Sequence, residues 1–131
     1  MARDYKREDE KELIKRFDEF LKNKRFSFFE LDDFIFIIDH YMNAGKLNKA
    51  LKICNMAIDQ YPFSIDLLLD KAQILINVEE YDEAMLYLEK ASNLQPNDVE
   101  ILLLKANILS LTGNYKDAIE AYESALPLTE E

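Results

Sequence analysis

Histidine and cysteine, side chains that serve in catalysis and are common zinc ligands, each occur once, as His40 and Cys54. A catalytic histidine needs a nucleophile and an orienting carboxylate within reach, and the adjacent Asp39 would diverge from His40 on a helix. One histidine without further nitrogen or sulfur ligands is also insufficient for a zinc site. These residues therefore predict neither a catalytic centre nor a metal site.

Motifs that bind phosphate groups are missing as well. The chain has two glycines and contains neither G-x-x-x-x-G-K-[ST] nor G-x-G-x-x-G, the loops that cradle nucleotide phosphates. A single cysteine cannot form a disulfide framework or a thiolate cluster, and core packing explains Cys54 better than a redox role. We predict that the protein is not an enzyme and uses no cofactor.

The charge of the chain is acidic and unevenly distributed. The formal net charge is −10, with nine basic and eight acidic residues in positions 1–30 against seven basic and eighteen acidic residues in positions 31–131. Nucleic acids and anionic membranes are bound through Lys and Arg, so an acidic surface repels both. We expect no nucleic-acid or membrane binding, and a protein or peptide partner that carries basic and apolar residues.

The apolar stretches are too short for a membrane span or a signal peptide. Seven of the first ten residues are charged, whereas a secretory signal contains an apolar segment. The most apolar stretch, residues 34–38, is bounded by Asp32, Asp33 and Asp39, and a span needs about 18–20 apolar residues in a row. The expected location is the cytoplasm.

The elements that must position these side chains begin with an amphipathic helix over residues 4–24. Its apolar residues recur at i, i+1, i+4, i+7 and i+8, which places them on one helix face. These residues are Leu13, Ile14, Phe17, Phe20 and Leu21. The other face carries both charge signs, whereas a membrane-surface helix has a polar face dominated by Lys and Arg. We therefore favour a capping helix that covers the first apolar face of the following units.

From residue 31 onward the sequence repeats itself every 34 residues. Two columns of alanine and one column of Leu and Tyr keep this spacing. The columns are Ala50, Ala84 and Ala118; Ala57, Ala91 and Ala125; and Leu47, Tyr81 and Tyr115. A period of this length means that one supersecondary unit is stacked repeatedly into a solenoid. The alanines are expected where two helices cross closely, because a larger side chain would push them apart.

Capping residues place the helix ends within each repeat. Ser27 with Glu30, and Asn97 with Glu100, match capping boxes, and Ser64 is a further N-cap. The residue before a proline is disfavoured in a helix, so Pro62 ends the helix before it. The six expected helices span residues 28–44, 47–60, 65–78, 81–94, 98–112 and 115–126.

On these residues the chain resembles the tetratricopeptide repeat family, whose pattern is W-x2-L-G-x2-Y…A-x3-F…P over 34 residues. The second half of the pattern matches best, through the turn and the two alanine columns. Its aromatic position is filled by Cys54, Leu88 and Tyr122. The first half is looser, and its tryptophan position is filled by Phe34, Leu68 and Leu102. The resemblance covers residues 31–131.

In this family the first helix of each pair lines a concave groove. By resemblance, the groove positions are Asp32, Ile35, Asp39 and Met42 in the first repeat, Asp66, Leu69, Asp70, Gln73 and Asn77 in the second, and Glu100, Leu103, Asn107 and Leu111 in the third. Such an acidic groove with apolar and amide patches would suit a segment with Lys or Arg beside apolar anchors. The alternative is that these acids only solvate an exposed helix face.

One known function of the family is not expected. Members that hold the C-terminal carboxylate of chaperones use Lys, Arg and Asn at fixed groove positions. The matching positions here are Ile35, Asp39, Asp70, Glu100 and Leu104. Three of them are acids, which would repel a carboxylate.

The sequence thus predicts an all-α fold, an α-solenoid of three tetratricopeptide-like helix–turn–helix repeats preceded by an N-terminal capping helix. The expected divisions are residues 1–30 for the capping helix and connector, and 31–64, 65–98 and 99–131 for the repeats. They would form one continuous solenoid domain, complete or the start of a longer array. The expected function is a non-catalytic scaffold that binds a peptide or helix in its acidic groove.

The third repeat leaves an apolar face without a predicted cover. Ile119, Tyr122 and Leu126 on the last helix would be covered by the next unit in a longer array. Either further repeats cover this face, or it pairs with another copy of the chain. The second alternative would make the protein a self-assembling structural module that forms homo-oligomers through its C-terminal end.

Overall fold

A computed structural model of the chain describes residues 7–23 and 28–129. All regular elements in these residues are α-helices. They are α1 (Arg7–Asn23), α2 (Leu31–Asn43), α3 (Leu47–Gln60), α4 (Ile65–Asn77), α5 (Tyr81–Leu94), α6 (Val99–Leu111) and α7 (Tyr115–Thr129). The prediction of an all-α repeat fold is confirmed, since the predicted first helix is α1 and the predicted pairs are α2–α3, α4–α5 and α6–α7.

The helices form two compact units, and the division falls between Ala57 and Ile58, inside α3. The first unit contains α1, α2 and most of α3. The second contains the end of α3 and the two helix pairs α4–α5 and α6–α7. The four sequence divisions at residues 1–30, 31–64, 65–98 and 99–131 stay a prediction.

The core of the first unit is a cluster of phenylalanine rings around Phe17, which is fully buried. Its ring centroid lies 5.1 Å from that of Phe29, 5.8 Å from Phe20 and 6.3 Å from Phe34. Leu13, one turn earlier on α1, is buried as well. The apolar face predicted for the first helix therefore packs on the residues before α2 and on α2 itself.

The start of α2 differs from the prediction, because the helix begins at Leu31 rather than near residue 28. Ser27, the predicted N-cap, lies outside the described residues. Glu30 is the N-cap instead, and its backbone N–H donates to Oδ2 of the buried Asp33 at 3.0 Å. Phe29 is buried against Phe17, and the chain is not helical over residues 28–30. The ring contact and the Asp33 bond together explain the later start.

The caps of the later helices agree with the sequence at one position and differ at another. Ser64 caps α4 as predicted, since its Oγ accepts the N–H of Leu67 at 3.3 Å. The cap of α6 is Asp98, whose Oδ1 accepts the N–H of Ile101 at 3.1 Å. Asn97 has a positive φ of 63°, which asparagine tolerates better than most residues, so the cap falls one residue later than predicted. The last helix also continues to Thr129, through Pro127.

The turns inside the three helix pairs share one left-handed residue. Gly45, Glu79 and Gly113 lie 34 residues apart and have φ values of 76°, 64° and 84°. In each case the N–H of the next residue donates to a carbonyl five residues earlier, as in a Schellman motif. These bonds are Lys46 to Tyr41 at 2.9 Å, Glu80 to Leu75 at 2.8 Å, and Asn114 to Leu109 at 2.8 Å. Glycine adopts this conformation without strain, whereas Glu79 does not.

The six column alanines are all buried, which agrees with their predicted place at helix crossings. They are Ala50, Ala57, Ala84, Ala91, Ala118 and Ala125. The aromatic column behaves differently along the chain, because Cys54 and Leu88 are buried whereas Tyr122 is exposed. The last helix therefore keeps its inner contacts but leaves its outer face in solvent.

Candidate functional site

The first helices of the two pairs in the second unit, α4 and α6, contact each other. Asp66 lies in the first turn of α4 and Glu100 in the first turn of α6. Both side chains are exposed to solvent. Asp70, one turn after Asp66, is half-buried. The predicted groove positions of the second and third repeats thus belong to two helices in contact, with acidic side chains on both.

The remaining predicted positions in this unit differ in how much a partner could reach them. Leu103 and Leu111 are exposed on α6, and Asn107 between them is half-buried. The Gln73 amide donates to Oδ1 of Asn77 at 3.1 Å on α4. Leu69, by contrast, is buried in the core and cannot contact a partner.

The basic residues of α4 and α6 are directed towards α5. Lys71 is the single basic residue of α4 and is only 7% exposed. Its Nζ donates to the Tyr87 hydroxyl at 2.7 Å and lies 4.0 Å from the centroid of that ring. Lys105, the single basic residue of α6, pairs with Glu89 of α5 at 3.0 Å. Both positive charges are thus held at α5, so the exposed Asp66 and Glu100 carboxylates are left without a basic residue from their own helices.

The groove positions predicted for the first repeat lie on α2, in the first unit. Asp39 is exposed, and Asp32, Ile35 and Met42 are half-buried. The side chains that point into the core of this unit come from other positions of the helix, which are Asp33, Phe34, Ile37, Ile38 and Tyr41.

A cleft of about 560 Å³ lies between α1 and α2 in the first unit. Its apolar part comes from Ile14 of α1 and Phe36 of α2, and His40 lies one turn after Phe36. Charged side chains of α1 line the remainder, and they are Glu10, Lys11, Lys15, Asp18, Glu19 and Lys22. None of these cleft residues was a predicted site, because the width of a gap between two helices depends on packing that periodicity does not describe.

An exposed apolar stripe runs along α7. It contains the three predicted end-face residues, Ile119, Tyr122 and Leu126, which are 57%, 41% and 59% exposed. Tyr115, which was not predicted as part of this surface, is 66% exposed. The four residues are spaced at i, i+4, i+7 and i+11, which places them on one helix face. We call them the α7 stripe.

Sequence comparison assigns this chain to a family. A sequence profile described as Tetratricopeptide repeat matches residues 41–108 and again residues 75–130, which together cover more than half of the chain. The chain belongs to the tetratricopeptide repeat family. Proteins of this family are generally non-catalytic protein-interaction modules. Comparison with curated protein sequences gave no match.

Several solved structures share the tetratricopeptide repeat fold of this chain. The second TPR of Spaghetti (RPAP3), bound to HSP90 peptide SRMEEVD, is 17% identical, with a TM-score of 0.68 over 84% of this chain and 98% of that one. MamA is 18% identical, with a TM-score of 0.73 over 91% and 68%. TTC0263, a thermophilic TPR protein in Thermus thermophilus, is 14% identical, with a TM-score of 0.71 over 92% and 66%. At these identities the likeness shows the fold.

Two residues differ in solvent exposure from the residues at the equivalent positions in other repeats. His40 is exposed, whereas Ile74 and Ile108, 34 and 68 residues later, are buried. Tyr122 is exposed, whereas Leu88, its equivalent in α5, is buried. Aligning the repeats by type would have revealed the polar His40 in an isoleucine column. The exposure of Tyr122 was expected, since the sequence placed it on the apolar face of the last helix for which no cover was predicted.

A hydrogen-bonded cluster joins the three helices of the first unit. The Tyr41 hydroxyl of α2 donates to Oδ1 of Asp18 at 2.5 Å, and Lys49 Nζ of α3 donates to the same oxygen at 3.2 Å. Lys49 Nζ also lies 4.1 Å from the centroid of the Tyr41 ring. Asp18 of α1 is thus held from two sides, which orients the wall of the cleft to which it belongs.

The cluster changes the acidity of two of its members. Burial, and then the hydrogen bond to Asp18, raise the pKa of Tyr41 above its usual value. Burial lowers the pKa of Lys49, but its contacts with Tyr41 and Asp18 outweigh this, and the pKa of Lys49 is raised overall. Both shifts favour the protonated forms in the folded state. The stability that each group contributes is therefore lost as the pH rises through its folded pKa.

Replacing Tyr41 with Phe removes the hydroxyl and keeps the ring, and we expect a loss of about 0.5–1.5 kcal/mol of unfolding free energy at neutral pH. The raised pKa means that this contribution is complete below the pKa of unfolded tyrosine, about 10, and is lost as the pH rises through the folded value. Urea unfolding of wild type and Tyr41→Phe at about pH 7 and about pH 11 measures this. A stability difference that persists unchanged at the higher pH would contradict the assignment.

His40 and Cys54, the two residues considered for catalysis, take part in packing contacts. Cys54 is buried, and the His40 ring stands edge-on to Tyr41 with centroids 4.9 Å apart. Within residues 7–23 and 28–129, no three His, Cys, Asp or Glu side chains form a group that could hold a metal ion. No helix in the described part of the chain is long and apolar enough to cross a membrane.

Proposed function

We propose that the protein is a non-catalytic interaction scaffold that binds a basic and apolar segment of a partner protein along α4 and α6. The observation that carries this proposal is the direction of the lysines. Lys71 and Lys105 are held by Tyr87 and Glu89 of α5, so neither lysine pairs with Asp66 or Glu100, and these exposed carboxylates in the first turns of α4 and α6 are accessible to a partner. A cytoplasmic location is part of the same proposal and suits a chain whose single cysteine cannot form an internal disulfide.

The partner segment would combine positive charge with at least one apolar anchor. Asp66 and Glu100 attract Lys or Arg, and the exposed Leu103 and Leu111 offer apolar surface on the same helix as Glu100. Asp32, Ile35, Asp39 and Met42 would serve as the equivalent positions on α2. The peptide held by the second TPR of Spaghetti (RPAP3) is SRMEEVD, with three acidic residues. The acids of α4 and α6 would repel such a peptide, so the proposed ligand has the opposite charge.

Charge reversal of the two first-turn acids tests the proposal. A fluorescein-labelled amphipathic peptide of Lys and Leu serves as the probe, and its fluorescence anisotropy reports binding. We expect Asp66→Lys combined with Glu100→Lys to weaken binding by about tenfold or more, because attraction becomes repulsion. The control is Asp82→Lys combined with Glu83→Lys, which makes the same change of charge in the first turn of α5.

The control separates the groove from the general acidity of the chain. If both double variants weaken binding equally, the peptide binds by net charge alone and the groove proposal fails. If only the variant of α4 and α6 weakens it, the site lies where proposed. A probe of Glu and Leu with the same spacing should bind wild type weakly.

A second candidate function is self-association through the α7 stripe. Its four large apolar side chains are exposed on one helix face, and such continuous patches commonly mark protein contacts. In α5 the equivalent of Tyr122 is the buried Leu88, so the same face is covered one repeat earlier. The average mass measured by light scattering should therefore rise with protein concentration, and Ile119→Asp should abolish the rise. A constant mass for wild type would exclude this function.

A further inference from the structure

We propose that the α7 stripe of one copy docks into the cleft between α1 and α2 of a second copy, with α7 running antiparallel to α1. The inference rests on the second function proposed above, association through the α7 stripe, and adds the surface that receives it. Two different surfaces then meet, one from each end of the chain.

Apolar complementarity is the first argument. The α7 stripe presents Ile119, Tyr122 and Leu126 on one face, and the cleft presents Ile14 and Phe36. The cleft has a volume of about 560 Å³, which the side chains of the α7 stripe would enter. His40 is exposed, whereas Ile108, at the equivalent position of α6 two repeats later, is buried. This side of α2 is therefore accessible to a partner.

Charge order is the second argument. Lys11, Lys15 and Glu19 are spaced by four residues along the cleft face of α1. Lys116, Glu120 and Glu123 follow at spacings of four and three on α7, beside the α7 stripe. Residues three and four apart share a helix face, so each set forms one row.

In the antiparallel arrangement every charge in one row meets an opposite charge. Lys116 faces Glu19, Glu120 faces Lys15, and Glu123 faces Lys11. Rows of this kind set partner choice and helix orientation in coiled coils. Asp18, another acid of the cleft, already binds the Tyr41 hydroxyl and Lys49, which reduces its repulsion of α7.

The arrangement has a consequence for the type of assembly. A contact between two different surfaces is heterologous, so each copy keeps one free α7 stripe and one free cleft. Such contacts produce closed rings or open filaments rather than a simple two-fold dimer. Pairing of one α7 stripe with another would stop at the dimer.

A charge-swap experiment on the full chain tests the proposal. The cleft variant combines Lys11→Glu with Lys15→Glu, and the helix variant combines Glu120→Lys with Glu123→Lys. We expect each variant alone to associate about tenfold more weakly than wild type, measured by light scattering over a concentration series, because two attractive pairs become repulsive. An equimolar mixture should recover association, since each reversed row then meets a complementary one. Lys46→Glu with Lys52→Glu, outside both surfaces, is the control.

The outcomes separate the inference from the function on which it rests. Recovery in the mixture supports docking of the α7 stripe in the cleft. If the cleft variant associates like wild type while Ile119→Asp does not associate, the α7 stripe is an interface but the cleft does not receive it. If both variants weaken association and the mixture fails to recover it, the proposed charge pairing is wrong. A wild type that stays monomeric overturns both the second function and this inference.

Discussion

Replacing Phe17 with Ala is expected to lower the unfolding free energy of the unit that contains α1 by about 3–5 kcal/mol. Phe17 is fully buried, and its ring contacts those of Phe20, Phe29 and Phe34. Truncation removes apolar surface and leaves a cavity among rings that belong to α1, α2 and the segment between them. Urea unfolding followed by circular dichroism measures the change.

Phe28→Ala is the matched control for this prediction. Phe28 precedes Phe29 in the same segment but is 61% exposed, so its truncation should change stability by no more than about 0.5 kcal/mol. Equal effects of Phe17→Ala and Phe28→Ala would contradict the ring cluster described here.

Replacing Ala84 with Leu is expected to destabilise the second unit by about 1–3 kcal/mol. Ala84 is fully buried in the first turns of α5, at a position where alanine recurs in every repeat. Added carbon atoms must displace a neighbouring helix or adopt strained rotamers. A thermal melt monitored by circular dichroism should show a lower midpoint.

Glu83→Leu provides the comparison, because Glu83 is the preceding residue of the same helix and is exposed. It adds a leucine without a steric conflict, and surface substitutions usually stay within about 0.5 kcal/mol. An Ala84→Leu protein that melts with the Glu83→Leu protein would mean that no close crossing exists at this alanine.

The parts of the fold that the sequence predicts are those set by local or periodic constraints. The ends of α3 and α5 and the Ser64 cap depend on residue type at a fixed spacing, and each was confirmed. The alanine columns are buried, as residues at close helix crossings must be. The predicted start of α2 was wrong because the observed start depends on contacts of Phe29 and Asp33 that no local motif contains. The predicted cap of α6 was wrong because Asn97 and Asp98 are both residue types that favour N-caps, and the positive φ angle of Asn97 decides between them.

The candidate site was less predictable than the fold. The sequence shows acids on α4 and α6, but it does not show that Lys71 binds Tyr87, sixteen residues later, or that Lys105 pairs with Glu89. Because the two lysines bind Tyr87 and Glu89, they do not form ion pairs with the acids of α4 and α6. The cleft between α1 and α2 also depends on distances between helices, and residue periodicity carries no information about them.

The left-handed turns of the helix pairs bear on the speed of folding. Each turn is closed by a bond that spans five residues, and each pair α4–α5 and α6–α7 makes its contacts within one repeat length. Closing a short loop costs little chain entropy, and proteins rich in such local contacts fold quickly, within about microseconds to milliseconds. A helical hairpin of this kind can form before distant parts of the chain have met. The time needed to reach the native state should therefore depend on hairpin closure more than on the length of the chain.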